Sequence, residues 1–254
     1  MLNLRVVTYN IHQGITVKRS GIDLTHLKKA LLSLSPDLVF LQEVAGSDVL
    51  KKSKLWPEEM NGQLEALADE MWPHSAFFKN VIFSKHHHGN AILSKFPFIE
   101  LNNENITVGK FKKRGVVHGR IAVPFADGFI EIHVLNAHLG LLQFERELQV
   151  ARLCNYVNQV ATPKAPLLIA GDFNDWRKKV TQDLSEKLHM DEVFLNQEAK
   201  YARTFPSRFP LLNLDRIYFR KLELKSATIL KGKPWTRLSD HLPIMADFRL
   251  VKKK

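Results

Sequence analysis

Leu167 to Asp175 reads Leu-Leu-Ile-Ala-Gly-Asp-Phe-Asn-Asp: a short apolar run after Pro163 and Pro166, a glycine, then Asp172 and Asn174 with one residue between them. A carboxylate accepts a proton from water, and a carboxamide donates and accepts at once. On an extended backbone of period two, the pair emerges on the face of Leu168 and Ala170, where it can hold and aim a nucleophilic water. Gly, Asp and Asn are also the usual turn residues, so alone the segment reads first as a strand-ending turn.

Recurrence of such endings changes that reading. Asn10 ends an alternating run from Leu4, Glu43 ends a doubly apolar run from Asp37, and His138 follows Ile132, Val134 and Asn136 on one strand face. Asp215 and the adjacent Asp240-His241 stand beside further apolar runs. A buried charge without a partner costs several kcal/mol, so these groups should converge on one another or on a metal. An oxygen-rich set without Cys suits a hard divalent cation, and Mg²⁺ takes one or two carboxylates while keeping waters for its substrate. Glu43 is the best direct ligand by type, with Asn10 beside it.

Before and between these points the chain supplies the elements that must position them. Asp23 caps a helix carrying Leu24, Leu27, Leu31 and Leu34, stopped by Pro36. A second amphipathic helix is expected from Glu58 to Trp72 and a long one from Gln143 to Ala161, with a short one near 180–189. Strands are expected at Ser75–Phe78, Asn90–Ser94, Val116–Pro124, Phe129–Leu139, 167–171, 214–219, 223–230 and Ile244–Val251, with turns at Lys95–Pro97 and Asp127-Gly128. Helices mixed with hairpin-like strand pairs predict an α/β protein of two packed mixed sheets with helices outside.

At 254 residues the chain suits one domain that buries roughly 70 to 75% of its unfolded surface. Its lone Cys154 excludes a disulfide framework and a Cys-based zinc site, and points to a reducing compartment. The N-terminus lacks a signal pattern and no apolar run approaches a membrane span, so a cytoplasmic monomer is the default expectation. Thirty-seven Lys and Arg against twenty-six Asp and Glu leave a net +11, gathered in Lys51–Lys54, Lys110–Arg114, Arg177–Lys179, Lys231–Lys233 and the tail Lys252–Lys254. Such a field favours polyanions: nucleic acid, an anionic lipid surface in peripheral contact, or phosphorylated small molecules. It also serves plain solubility.

The motifs Thr-Tyr-Asn-Ile-His (8–12), Leu-Gln-Glu-Val (41–44), Gly-Asn-Ala-Ile-Leu-Ser (89–94), Asn-Ala-His-Leu-Gly (136–140), Gly-Asp-Phe-Asn-Asp (171–175), Leu-Asp-Arg-Ile (214–217) and Ser-Asp-His-Leu-Pro (239–243) together resemble the endonuclease/exonuclease/phosphatase, or DNase I-like, superfamily. The resemblance spans nearly the whole chain in the family's order. It implies a four-layer α/β sandwich and hydrolysis of phosphate esters with Mg²⁺ or Mn²⁺. By motif, Glu43 and Asn10 would bind the metal, and Asp172 and Asn174 would orient the attacking water. His241 would face the scissile phosphate, held in one tautomer by Asp215, with Asp240 supporting the metal or His241. His138 joins the catalytic set, and its type there, like Val44 after Glu43, departs from the abasic-site endonucleases. Those forms are closer to the branch of sphingomyelinase-like and lipid-remodelling relatives, although DNase I-type nucleases also carry His at that place.

Other residues are easily overread. The His86-His87-His88 run is a solvated cluster rather than a hard-metal site, and only His88 is kept, with Asn90 and Arg114, as a contact for substrate phosphate. His12 and His118 read equally as hydrogen-bonded structural side chains, and Trp176, Phe205, Phe209 and Trp235 either rim the site or pack between loops. Three functions follow: a phosphodiesterase or phosphatase acting on an anionic lipid or headgroup, a DNase I-type nuclease, and a polyanion binder without catalysis.

Overall fold

The apolar runs pair into two sheets. A computed structural model describes residues 2–16, 21–45, 63–68, 71–83, 86–109, 113–125 and 128–250, with 79–83, 86 and 87 by backbone alone. Strands β1 (Leu2–Asn10), β2 (Leu38–Ala45), β3 (His74–Phe83), β4 (His86–Ser94), β11 (Glu223–Ile229) and β12 (Ile244–Leu250) form a six-stranded sheet in the order β11-β12-β1-β2-β4-β3. The second, also six-stranded, runs β5 (Phe98–Asn105), β6 (Gly115–Phe125), β7 (Gly128–His138), β8 (Leu167–Asp172), β10 (Asp215–Arg220) and β9 (Asp191–Glu192).

Helices α1 (Leu24–Ser33), α2 (Gln63–Leu67) and α6 (Trp235–Leu238) pack Leu27, Leu31, Leu67 and Trp235 onto the outer face of the first sheet. On the second sheet, α3 (Gln143–Val160) and α4 (Val180–Leu188) do the same through Leu153, Val157 and Leu184, while α5 (Val193–Glu198) enters the edge of the inter-sheet core with Val193 and Phe194. Between the sheets lie Leu4, Val6, Phe40 and Ile92 from one side and Val134, Leu168 and Ile217 from the other. The result is the expected four-layer α/β sandwich. No helix among the described residues is long and apolar enough to cross a membrane.

Each sheet contains one parallel pair among its described strands. In the first, β1 and β2 run in register from Val6 opposite Leu38 to Asn10 opposite Gln42, joined through α1. In the second, β7 and β8 run from His133 opposite Leu167 to His138 opposite Asp172, joined through α3. Parallel strands need a crossover helix and leave their carboxyl ends open beside it, where α/β proteins bind ligands. Here two such ends face each other across the sandwich.

A polar clasp fixes that facing. Asn136, on β7, donates through Nδ2 to Leu41 O and Ala91 O of the other sheet, each at 2.8 Å, and its Oδ1 accepts from Gln42 Nε2 at 2.8 Å. Gln42 Nε2 also reaches Thr8 Oγ1 at 3.2 Å. Asn136 is fully buried, so the clasp sets sheet register where apolar packing alone would let the sheets slide.

Several boundaries differ from expectation. Residues 58–62 of the second expected helix lie outside the described residues, the helix ends at Leu67, and Trp72 is a buried non-helical residue whose Nε1 donates to Pro36 O at 2.8 Å. The clusters Lys51–Lys54 and Lys252–Lys254, Lys110–Lys112, Asp127 and the side chains of His86 and His87 also lie outside the description. Strand β5 was not evident because Phe-Ile-Glu-Leu-Asn-Asn-Glu-Asn is rich in poor strand formers, and it forms as an edge strand paired with β6. Asp23 does cap α1, accepting the His26 N–H at 3.1 Å.

Replacing Asn136 by Ala removes its hydrogen bonds to two buried carbonyls, Leu41 O and Ala91 O, and breaks the link to Gln42 across the sheets. We expect a loss of about 3 kcal/mol, from roughly 1–3 kcal/mol per unsatisfied group. Urea denaturation measures it, and an unchanged midpoint would remove the clasp from the list of what holds the sheets.

Candidate active site

Three adjacent strand ends of the second sheet deliver the first part of the site. His138 pairs in register with Asp172, and Asp215 pairs with Asp172 from the other side. Gly171 makes this approach sterically feasible: its φ is +144°, and a Cβ there would sit 1.9 Å from Ala137 O. Any side chain would therefore push β7 and β8 apart immediately before Asp172.

Asp172 is the hub. Its Oδ2 accepts from Asn10 Nδ2 of the first sheet at 3.0 Å, and lies 3.6 Å from His138 Nε2 and 3.9 Å from His241 Nε2. Its Oδ1 accepts the Asn174 backbone N–H at 3.0 Å. That last bond corrects one expectation. The strand ends at Asp172, and Asn174 adopts a left-handed φ of 49°, so the two do not share a face of an extended strand. The Asp side chain instead closes a turn on its own backbone, and Asn174 Nδ2 is turned onto Leu139 O at 3.0 Å. The segment is both a turn and part of the constellation.

His241 enters from the loop before β12. Its Nδ1 donates to Asp215 Oδ2 at 2.8 Å, the same oxygen accepts Thr204 Oγ1 at 2.5 Å, and its ring lies 4.9 Å from that of Phe205. Ser239 ties the loop down, donating from Oγ to Asn10 O at 2.7 Å and accepting the His241 N–H at 3.2 Å. Burial opposes the charged imidazole, yet the charge and hydrogen bond of Asp215, with Asp172 and Asp240, hold its pKa up to about 10. Burial pushes Asp172 up to about 6, an effect that His241 partly offsets. With its pKa held that high, the His241 ring keeps its proton at neutral pH, bonded to Asp215 and 3.9 Å from Asp172 Oδ2.

Glu43 does not end its strand. It sits at a β-bulge with φ 56°, and β2 continues through Val44 to Ala45. The extra residue puts Val44 on the apolar face with Val39 and Leu41, which frees Glu43 to leave that face half-buried. The charges of Asp172 and Glu43 both act on the guanidinium of Arg114, which is buried and keeps an Nε without a hydrogen-bond partner. Arg114 is therefore within the electrostatic reach of the site. Asn90 is buried beside it, donating to Gly115 O at 3.3 Å, whereas His88 lies farther along β4, half-buried opposite Ala45. Asp240 is half-buried with Oδ1 3.5 Å from His12 Nδ1, and the His12 N–H donates to Asn10 Oδ1 at 3.1 Å.

Asp172, Asp215 and His241 offer ligand atoms within 4.8 Å of one another, a grouping able to hold a metal ion. Asp215 Oδ2 and His241 Nδ1 are already joined by a hydrogen bond, however, so those atoms hold a proton rather than a shared cation. One orphaned atom is of the kind a hard divalent ion takes: the second oxygen of Asp215 is buried without a hydrogen-bond partner. The Asn10 side chain bonds Asp172 directly, and Asp240 adjoins His241 with its carboxylate near His12.

Some roles were not read from sequence. Asp175 and Arg216 form a buried ion pair at 3.1 Å, and Arg216 also donates to Asp175 O at 2.5 Å, to Thr181 Oγ1 and to Tyr218 OH. Asp175 Oδ2 further accepts the Val180 N–H at 2.9 Å, so the pair pins the loop that follows Asp172. Both lie inside quoted motifs, but only their partners' positions in space reveal the pairing. His118 takes its structural reading: it contacts Tyr156 OH at 2.8 Å and His133 Nδ1 at 3.0 Å, and burial with the His133 charge lowers its pKa to about 4. Trp235 is core, edge-on to Tyr9, whereas Trp176 and Phe209 are exposed.

Comparison with known proteins agrees with this geometry. The chain is 39% identical over 250 residues to the uncharacterized protein YbhP of Escherichia coli, covering 98% of this chain and 97% of that one. In fold it is similar to an endonuclease/exonuclease/phosphatase from Beutenbergia cavernae (TM-score 0.76, 17% identity, 98% of this chain and 72% of that one). It is also similar to the human Nocturnin catalytic domain with bound sulfate anion (TM-score 0.74, 21% identity, 98% and 94%). The model of the Endonuclease/Exonuclease/phosphatase family matches residues 7–241, from within β1 to His241, and the chain belongs to that family.

Proposed function

We propose that the protein is a divalent-metal-dependent hydrolase of phosphate esters. The observation that carries this reading is the convergence of Asn10 from one sheet with His138, Asp172 and Asp215 from the other, closed by His241. Glu43 and Asn10, supported by Asp240, would hold Mg²⁺ or Mn²⁺, which supplies Lewis-acid compensation for charge on the phosphoryl oxygens.

The chain's own groups divide the remaining work. Asp172, ionised above a pKa of about 6, takes the proton of the attacking water. Asn10 Nδ2 and the Asn174 N–H fix the orientation of its carboxylate, and the Asn174 carboxamide, tethered at Leu139 O, keeps its oxygen available to that water. His241, held protonated by Asp215, offers its Nε2–H to a phosphoryl oxygen, and His138 stands on the other flank of Asp172 as a second group for the same charge. Arg114 and Asn90, with His88 at the margin, are assigned to substrate phosphate. The preferred substrate is a phosphodiester or monoester of an anionic lipid or its headgroup. A DNase I-type nuclease is the second reading, favoured by the net +11 charge.

Asp172→Asn and His241→Ala are each expected to lower turnover of bis-p-nitrophenyl phosphate by about 10² to 10⁴. Wild-type turnover in both would take them out of the mechanism. Dialysis against a chelator should abolish activity and Mg²⁺ or Mn²⁺ should restore it, and activity that survives chelation would sink the metal assignment. Asp215→Asn removes the nearest carboxylate charge from His241. In metal-free protein, an NMR titration should then show the ring losing its proton at lower pH than in wild type, and an unmoved titration would deny Asp215 its positioning role.

A further inference from the structure

Of the eleven exposed large apolar side chains among the described residues, eight lie on three segments that leave the catalytic residues themselves. The first begins just after His138 and Leu139: Leu141 and Leu142, both 54% exposed, lead into α3, where Phe144 and Leu148 continue outward one turn apart. The second is the 204–212 loop, whose Thr204 bonds Asp215 and whose Phe205 rests on His241. It presents Phe209 at 79% and Leu211 at 64% exposure. Trp176, just past Asp175, is the third.

These segments form one rim. Trp176 packs under the Arg146 guanidinium at 4.7 Å, and Arg177 donates to Gln143 Oε1 at 2.6 Å, which joins the 176–178 loop to the start of α3. On its other side Lys178 lies 5.5 Å from the ring of Tyr201, next to the 204–212 loop. That loop is braced: Leu211 and Leu212 both donate to Phe205 O at 2.8 Å, Phe209 donates to Pro206 O, and Ser207 donates to Asp240 O at 2.6 Å. Phe209 is thus held outward by backbone hydrogen bonds, not left to collapse onto the core.

Cations surround the apolar tips. Arg203 and Arg208 flank Phe205 and Phe209 on the exposed loop, and a cavity of about 610 Å³ beside it is lined by Lys178, Lys200, Arg203 and Lys231 without any acidic residue. None of the catalytic residues lines that cavity. Exposed apolar groups ringed by positive charge, at the mouth of a phosphate-ester site, match the boundary between anionic headgroups and acyl chains. Single-stranded nucleic acid would use the same charge, but bases need flat aromatic or guanidinium faces to stack on. Five of the eight rim residues are leucines, which suit acyl chains and offer no stacking face.

We infer that this rim docks the protein on an anionic phospholipid bilayer, with Phe209 and Leu211 on one side of the site and Leu141 and Phe144 on the other entering the acyl boundary. The purpose of the docking rests on the hydrolase reading, but the docking itself is measured without turnover.

The test is co-sedimentation of the full chain with phosphatidylcholine vesicles made with and without phosphatidylglycerol. Wild type should partition onto the anionic vesicles and much less onto the neutral ones. Phe209→Ser/Leu211→Ser and, separately, Leu141→Ser/Phe144→Ser should each lower partitioning about tenfold or more, with thermal midpoint and bis-p-nitrophenyl phosphate turnover unchanged. Arg203→Gln/Arg208→Gln should erode the preference for anionic vesicles. Absence of partitioning, or partitioning that both apolar variants retain, overturns the inference. So does binding of a single-stranded oligonucleotide that these variants lose while vesicles are ignored. Vesicle partitioning that follows the expected pattern in a protein unable, with Mg²⁺ or Mn²⁺, to cleave any phosphate monoester or diester supports the docking and overturns the catalytic reading alone.

Discussion

A carboxylate only 2% exposed must find its compensation inside the protein, and Asp172 draws it from every neighbouring element. Asn10 reaches it from the opposite sheet, the Asn174 N–H from its own turn, and the two histidines from flanking strands and loop. Removing any of these leaves charge stranded in a medium of low dielectric. The constraint accounts for features that would otherwise look unrelated: a glycine at 171 where no Cβ fits, a left-handed Asn174, and a serine at 239 that staples the last loop to Asn10.

The sandwich makes such compensation available because it opposes two similar units. In each sheet a strand, a helix and a parallel strand leave two carboxyl ends side by side, and the pairs β1–β2 and β7–β8 confront each other through the buried Gln42–Asn136 clasp. Asn10 and Glu43 come from one unit, His138 and Asp172 from the other. Antiparallel neighbours then add one group each: Asp215 at the start of β10, opposite Asp172, and His241 just before β12. The apolar core between the sheets supplies most of the cohesion, and the polar pairs convert it into one register.

The centre is a chain of alternating charge, Asp215, His241 and Asp172, in which the imidazolium is stabilised against the desolvation that would otherwise neutralise it. Its surroundings are unusual for a folded surface, since loops anchored on these same residues expose leucines and aromatics rather than charge alone. Basic side chains fill the intervals.

Much of this protein can be read from its residues in order. Most of the strands, the helices α1, α3 and α4, the layered α/β class and the candidates for the polar set follow from local causes: periodicity of apolar side chains, caps and breakers, and the cost of burying charge. Tertiary structure alone decided the rest. The β-bulge at Glu43, the seating of the Asn174 side chain on Leu139 O, the polar edge strand β5 and the Asp175–Arg216 pair each depend on a neighbour distant in sequence. Spacing along a chain specifies which side chains share a local face. Which faces meet is set by packing between sheets, where one extra residue in a strand or one hydrogen bond across the gap redirects a functional group.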